Sequence, residues 1–170
     1  MSSPIRVWRL VKERHAKTAF DGEGARRFGG RWNSPGVAVV YVAENIALAV
    51  LETVVHADID NLDAIHFVLI PVDIPQSVQI GHIDKNNLPR GWQSYDPAPE
   101  ELRRMGDEWV RQAREAVLAV PSVVVPQETI YILNPAHKDI KKLVIGKPLL
   151  FTLDKRLKAA KPQGSLPLLP

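Results

Sequence analysis

The sequence contains no cysteine. That excludes disulfides, thiolate metal sites, iron–sulfur clusters and a cysteine nucleophile, and it fits the reducing cytoplasm. No apolar run approaches the roughly 20 residues that a membrane-spanning helix needs. The opening stretch, Met1 to Arg6, lacks an apolar core, so no secretion signal and no membrane partner are expected. The P-loop pattern GxxxxGK[ST] and the nucleophile elbow GxSxG are both missing. Gly22-Glu23-Gly24 begins like a dinucleotide fingerprint, but Arg27 stands at the third glycine position, which argues against a Rossmann site. The histidines (His15, His56, His66, His82, His137) show no HExxH or paired spacing. Glu52 and His56 lie one helical turn apart, yet two ligands do not make a zinc site, so no metal is expected. No recognition helix or RNP motif points to direct nucleic-acid contact.

What remains is a chain of 170 residues, 45% hydrophobic and 24% charged, which suits one globular domain. The net charge of +3 conceals a strong asymmetry. Residues 1–31 hold 8 Lys/Arg against 3 Asp/Glu, residues 32–137 hold 6 against 14, and residues 138–170 hold 8 against 2. An acidic middle between basic ends either folds into a basic face that attracts phosphates or leaves a mixed, solvated surface. A non-catalytic nucleic-acid- or protein-binding module using those ends is the alternative to an enzyme.

Fourteen prolines spread along the chain argue against long helices. Ile5–Leu10 alternates and reads as a strand, residues 20–36 as a long glycine-rich loop, and Val37–Val42 as a buried strand. A helix is expected over residues 44–57. Ile65–Ile70 and Val78–Ile83 read as strands separated by Pro71 and Pro75. Residues 99–119 carry apolar positions every three to four residues, which predicts an amphipathic helix starting near Pro99. Ser122–Val125, Thr129–Leu133 and Leu149–Leu153 complete the expected strands, and the tail from Lys158 reads as irregular. Several strands with two sizeable helices give an α+β fold class.

Three features carry chemistry. In Phe28-Gly29-Gly30-Arg31-Trp32-Asn33, two glycines let the backbone pass close to a ligand, and Arg31 offers a planar fork suited to a phosphate. A tight turn with a surface arginine is the plainer reading. Tyr41 can present a flat wall to a planar ligand with its hydroxyl at the rim, or fill the core. Asn45, Glu52 and His56 share one stripe of an otherwise apolar helix, so Glu52 faces either water or a cleft. A cleft carboxylate can stabilise positive charge growing on a sugar ring. Together these residues suggest a site that breaks the glycosidic bond of a phosphate-bearing nucleoside.

The ordered set Gly29-Gly30-Arg31-Trp32-Asn33, Tyr41 and Glu52 resembles the signature of the RES-domain toxins. Pro121-Ser122, Leu133–His137 and Phe151–Leu157 resemble later blocks of that family, and the length and detail are similar to its ParT branch. The resemblance implies a RES domain over residues 1–157 and a Lys/Pro/Leu-rich tail over 158–170. It implies an ADP-ribosyltransferase-like fold with short twisted sheets and a few helices. It also implies a cytoplasmic toxin of a type II toxin–antitoxin system that uses NAD+ as substrate and cleaves the nicotinamide–ribose bond. ADP-ribose would pass to a protein, with phosphoribosyl pyrophosphate synthetase as candidate; an NAD+ glycohydrolase or phosphorylase is the alternative. The implied partner is an antitoxin with an Xre-like helix-turn-helix. By position, Arg31 would bind the NAD+ phosphates with Gly30 beside it, and Tyr41 would pack on the nicotinamide. Glu52 would hold the ribose, Ser122 would hydrogen-bond the nicotinamide or its ribose, and Lys12 would add positive charge near the phosphates. The chain lacks the serine–threonine–serine and Glu-x-Glu pattern of arginine-modifying transferases, which argues against arginine as acceptor.

Overall fold

Strand β1 (Ile5–Lys12) organises a mixed eight-stranded sheet in the computed structural model, which describes residues 3–56, 65–94 and 98–157. The other strands are β2 (Val40–Ala43), β3 (Phe67–Ile74), β4 (Ile80–His82), β5 (Val117–Pro121), β6 (Thr129–Leu133), β7 (Val144–Ile145) and β8 (Leu149–Phe151). Their order is β4-β5-β6-β2-β1-β3-β7, with β8 also pairing β3. All pairings are antiparallel except β4 with β5. The described chain is thus α+β.

Periodicity divides β3 between the two faces of the sheet, since alternate side chains of a strand point to opposite sides. Phe67 and Leu69 join one cluster with Trp32, Leu48, Leu102 and Trp109. Val72 and Ile74 join another with Val7, Val40, Val42 and Val117. Both faces are covered, which is why β3 is apolar almost throughout.

Three α-helices complete the fold among the described residues. They are α1 (Glu23–Phe28), α2 (Ile46–Val54) and α3 (Glu100–Gln112). The Asn45 side chain caps α2 by accepting the Leu48 N–H at 2.8 Å. Leu102, Gly106 and Trp109 bury one stripe of α3. A Cβ at position 106 would overlap the Trp32 carbonyl oxygen, so glycine lets α3 lie directly on the loop that carries Arg31.

Several sequence expectations are corrected. The loop over 20–36 contains α1, whose first turn is held by the Asp21 carboxylate accepting the Glu23 N–H and by Glu23 pairing with Arg26 and Arg27. The helix expected to reach 119 stops at Gln112, because Ala113 takes a left-handed conformation (φ 45°). Its carbonyl lies 3.1 Å from His137 Nε2, and residues 117–120 are buried as β5. Ser122–Val125 is a bend rather than a strand. Pro71 does not end a strand, and β3 runs through it. The Pro71 carbonyl accepts the Gly146 N–H, so that side of the residue faces the junction between β7 and β8. The missing Pro71 N–H therefore falls at a break in the neighbouring edge and not against β1. The tail 158–170 lies outside the described residues.

Candidate active site

Strands β1 and β2 share one register pair, Trp8 with Ala43, whereas β1 and β3 share eight. Residues of both strands line a cavity of about 990 Å³, at the upper end of the roughly 300–1,000 Å³ usual for small-molecule sites. Arg31, Tyr41, Glu52, Ser122 and Gly30 all line it. Lys12, at the end of β1, does not.

Glu52 projects from α2, and Ser122 follows β5. The Ser122 hydroxyl donates to Glu52 Oε1 at 2.8 Å. The same oxygen accepts the N–H groups of Val124 (3.1 Å) and Val125 (3.0 Å). A hydroxyl has one proton and two lone pairs, so the backbone takes both acceptor sites and leaves the proton for Glu52. Ser122 thus orients the carboxylate instead of presenting its proton to a ligand. Oε2 has no hydrogen-bond partner among the described residues.

Tyr41 corrects a second expectation. Its hydroxyl is not at the rim. It donates to Asn33 Oδ1 at 2.7 Å and accepts the Trp32 N–H at 3.1 Å. Burial pushes this phenol above its ordinary range, so it stays neutral. The ring lines the cavity while the hydroxyl ties down the loop that carries Arg31. A Cβ at Gly30 would sit 2.6 Å from Tyr41 Oη and 2.7 Å from Asn33 Oδ1, which explains the glycine. Asn33, fully buried, donates to the carbonyls of Ala25 (2.9 Å) and Val37 (3.0 Å), joining the loop to α1.

Arg31 donates from Nη1 to the carbonyls of Trp92 (3.1 Å) and Ser94 (2.9 Å). Burial lowers its affinity for its proton, and the Glu52 charge opposes that shift. The guanidinium is therefore aimed by the backbone, and among the described residues no carboxylate forms an ion pair with it.

Two arginines escaped the sequence reading. Arg9 on β1 lines the cavity and donates from Nη1 to the Tyr41 carbonyl at 2.6 Å. Its Nε is shielded from solvent and has no hydrogen-bond partner among the described residues. Burial lowers its pKa to about 10, with Asp21 opposing, so it remains charged at neutral pH. Its signal was present: a lone guanidinium in register with Val7 and Val11 along an apolar strand. Arg103 on α3 also lines the cavity and donates from Nε to the Gly30 carbonyl at 3.2 Å. It reads in the sequence as one more polar residue of an amphipathic helix.

The site thus sets a fixed carboxylate and several guanidinium groups around one cavity. No group of three or more His, Asp or Glu residues among the described ones is placed to hold a metal. No helix among them is long and apolar enough to cross a membrane.

Residues 6–154 match the RES domain family model. The chain is 39% identical over 156 residues to "Toxin Res" of Photorhabdus laumondii, covering 91% of this chain and 98% of that protein. It is 39% identical over 154 residues to the "Prs ADP-ribosylating toxin" of Sphingobium sp., covering 88% and 94%. The fold matches a chain in the crystal structure of the M. tuberculosis MbcT–MbcA toxin–antitoxin complex, with a TM-score of 0.66 at 15% identity over 88% of this chain and 85% of that one. From β1 to the segment after β8, the chain belongs to the RES domain family.

Proposed function

We propose that this protein is a toxin that binds NAD+ in the β1–β2 cavity, breaks its nicotinamide–ribose bond and transfers ADP-ribose to a protein. The observation that carries the reading is Glu52, held by Ser122 and opening onto the same cavity as Arg9 and Arg31. Nicotinamide in NAD+ is already cationic, so it leaves as a neutral molecule without a general acid. The electron pair of the C1′–N bond departs with it. Positive charge then develops on the ribose, where a preorganised carboxylate lowers the barrier. Arg9 and Arg31 hold the phosphates, and the Tyr41 ring packs against the nicotinamide. A nucleophile on the acceptor bonds to C1′ and loses its proton.

Relatives named as toxins and an ADP-ribosylating relative support this class of activity. The name of the Sphingobium relative supports phosphoribosyl pyrophosphate synthetase as the candidate target. The related fold in a toxin–antitoxin complex supports a cognate antitoxin. Its Xre-like helix-turn-helix kind, and action in the cytoplasm, belong to the proposal on the strength of the resemblance of the sequence to the family. The alternative is NAD+ depletion by hydrolysis or phosphorolysis. Purified protein, freed of any antitoxin, is incubated with adenine-labelled NAD+ and phosphoribosyl pyrophosphate synthetase. Label on the synthetase supports transfer. Free ADP-ribose, or its phosphate ester, supports depletion. No nicotinamide release would remove the proposal.

A further inference from the structure

We infer that Arg103, on α3, is a further phosphate-holding side chain of this cavity, beside Arg9 and Arg31, and forms with Arg31 a two-guanidinium seat for adjacent phosphate groups. The inference deepens the NAD+ reading above and rests on it for the identity of the natural ligand.

Arg103 Nε donates to the carbonyl of Gly30, the residue before Arg31. The helix and the glycine loop therefore bring two guanidinium groups to the same part of the cavity. Their proximity is felt electrostatically: Arg103 is among the groups that lower Arg31 from its ordinary value, and both act on the Tyr41 hydroxyl. Neither makes an ion pair with a carboxylate among the described residues. Other arginines of α3 differ, since Arg104 pairs with Glu101 and Arg111 with Glu108.

Two like charges in one cavity, neither ion-paired among the described residues, repel each other and favour an anion that joins them. The remaining donors suit that anion. Arg31 commits only Nη1 to protein acceptors, and Arg103 only Nε, among the described residues. Among the described residues, Arg103 thus keeps both Nη groups available, and Arg31 keeps Nε and Nη2. Such planar forks match phosphate oxygens in pairs. A single phosphate would leave one fork idle, whereas a pyrophosphate fills both.

The test compares the parent with Arg103→Ala, Arg103→Lys and Arg104→Ala. Each is titrated calorimetrically with inorganic pyrophosphate and with inorganic phosphate. Each is also assayed for nicotinamide release from NAD+ in phosphate-free buffer, with and without added phosphate. Arg103→Ala is expected to weaken pyrophosphate binding and raise KM for NAD+ by about ten- to a hundredfold, the effect of losing a charged hydrogen bond, with kcat nearly unchanged. Arg103→Lys should fall between, and Arg104→Ala should match the parent. An unchanged KM for NAD+ with loss of phosphate binding and of phosphate-stimulated release would assign the seat to free phosphate as acceptor. Parental affinity for both anions and a parental KM in Arg103→Lys or Arg103→Ala would overturn the inference. Anion binding is read independently of turnover. A parent that binds pyrophosphate through Arg103 but releases no nicotinamide would sink the NAD+ reading and leave this one standing.

Discussion

The Ser122 hydroxyl lies 2.8 Å from Glu52 Oε1, joining residues 70 positions apart across the cavity. Because backbone N–H groups occupy its lone pairs, this serine has one available direction for its proton. Ser122→Ala is therefore expected to lower kcat for nicotinamide release about ten- to a hundredfold, with little change in KM. Ser122→Thr, which keeps the hydroxyl, should recover most of the rate. A serine acting directly on bound nicotinamide would show its loss in KM instead, and steady-state kinetics separates the two.

Tyr41→Phe keeps the aromatic wall but removes the hydroxyl that satisfies Asn33 Oδ1 and the Trp32 N–H. Each buried group left without a partner costs about 1–3 kcal/mol. Calorimetry should show a lower Tm, by about 2–4 °C per kcal/mol for a chain of this size. Loosening of the Arg31 loop should also raise KM for NAD+. If the tyrosine served only as a stacking surface, Tm and KM would both stay at parental values.

Arg9 carries a stability penalty that the proposed phosphate-binding role would explain. Its depressed pKa means that the folded protein holds this proton less tightly than the unfolded chain. Stability linked to Arg9 therefore rises only as pH climbs from about 10 toward the ordinary arginine range, and the full penalty applies at neutral pH. Replacing a half-buried guanidinium that has no ion-pair partner among the described residues by an apolar side chain can be stabilising. Arg9→Met is expected to gain roughly 1 kcal/mol, or about 2–4 °C in Tm, while losing affinity for NAD+. Thermal melts with and without NAD+ check both effects, and a destabilised variant would contradict this account of Arg9.

The fold was readable where local pattern and tertiary demand agree. The alternation Ile5 to Leu10, the helix after Asn45 and the strand Thr129–Leu133 all appear in the structure. Misreadings arose where a distant group decides the local outcome. Ala116 and Val120 fit a helical period, yet His137 and the packing of β5 end α3 at Gln112. Pro71 looks like a terminator, and only the break between β7 and β8 makes it acceptable inside β3. At the site, Arg31, Tyr41 and Glu52 were visible because glycines, an aromatic ring and an isolated carboxylate stand out in their segments. The direction of the Tyr41 hydroxyl was not visible, since it depends on Asn33 across a turn. Arg9 left a trace, a guanidinium on the same face of β1 as Val7 and Val11, whereas Arg103 stayed hidden among the other arginines of an amphipathic helix.

Glu52→Gln tests the central claim most directly. The amide keeps the size of the side chain and an oxygen for the Ser122 proton, so Tm should stay at the parental value. Removing the charge should cost about 2.7–4 kcal/mol of transition-state stabilisation, a loss of roughly 10²–10³ in kcat, as for other preorganised groups of this kind. Nicotinamide release by purified parent and Glu52→Gln protein, measured under saturating NAD+, gives the answer. A large drop in rate with NAD+ affinity retained is the result expected. A folded Glu52→Gln protein that turns over NAD+ as fast as the parent would contradict the account.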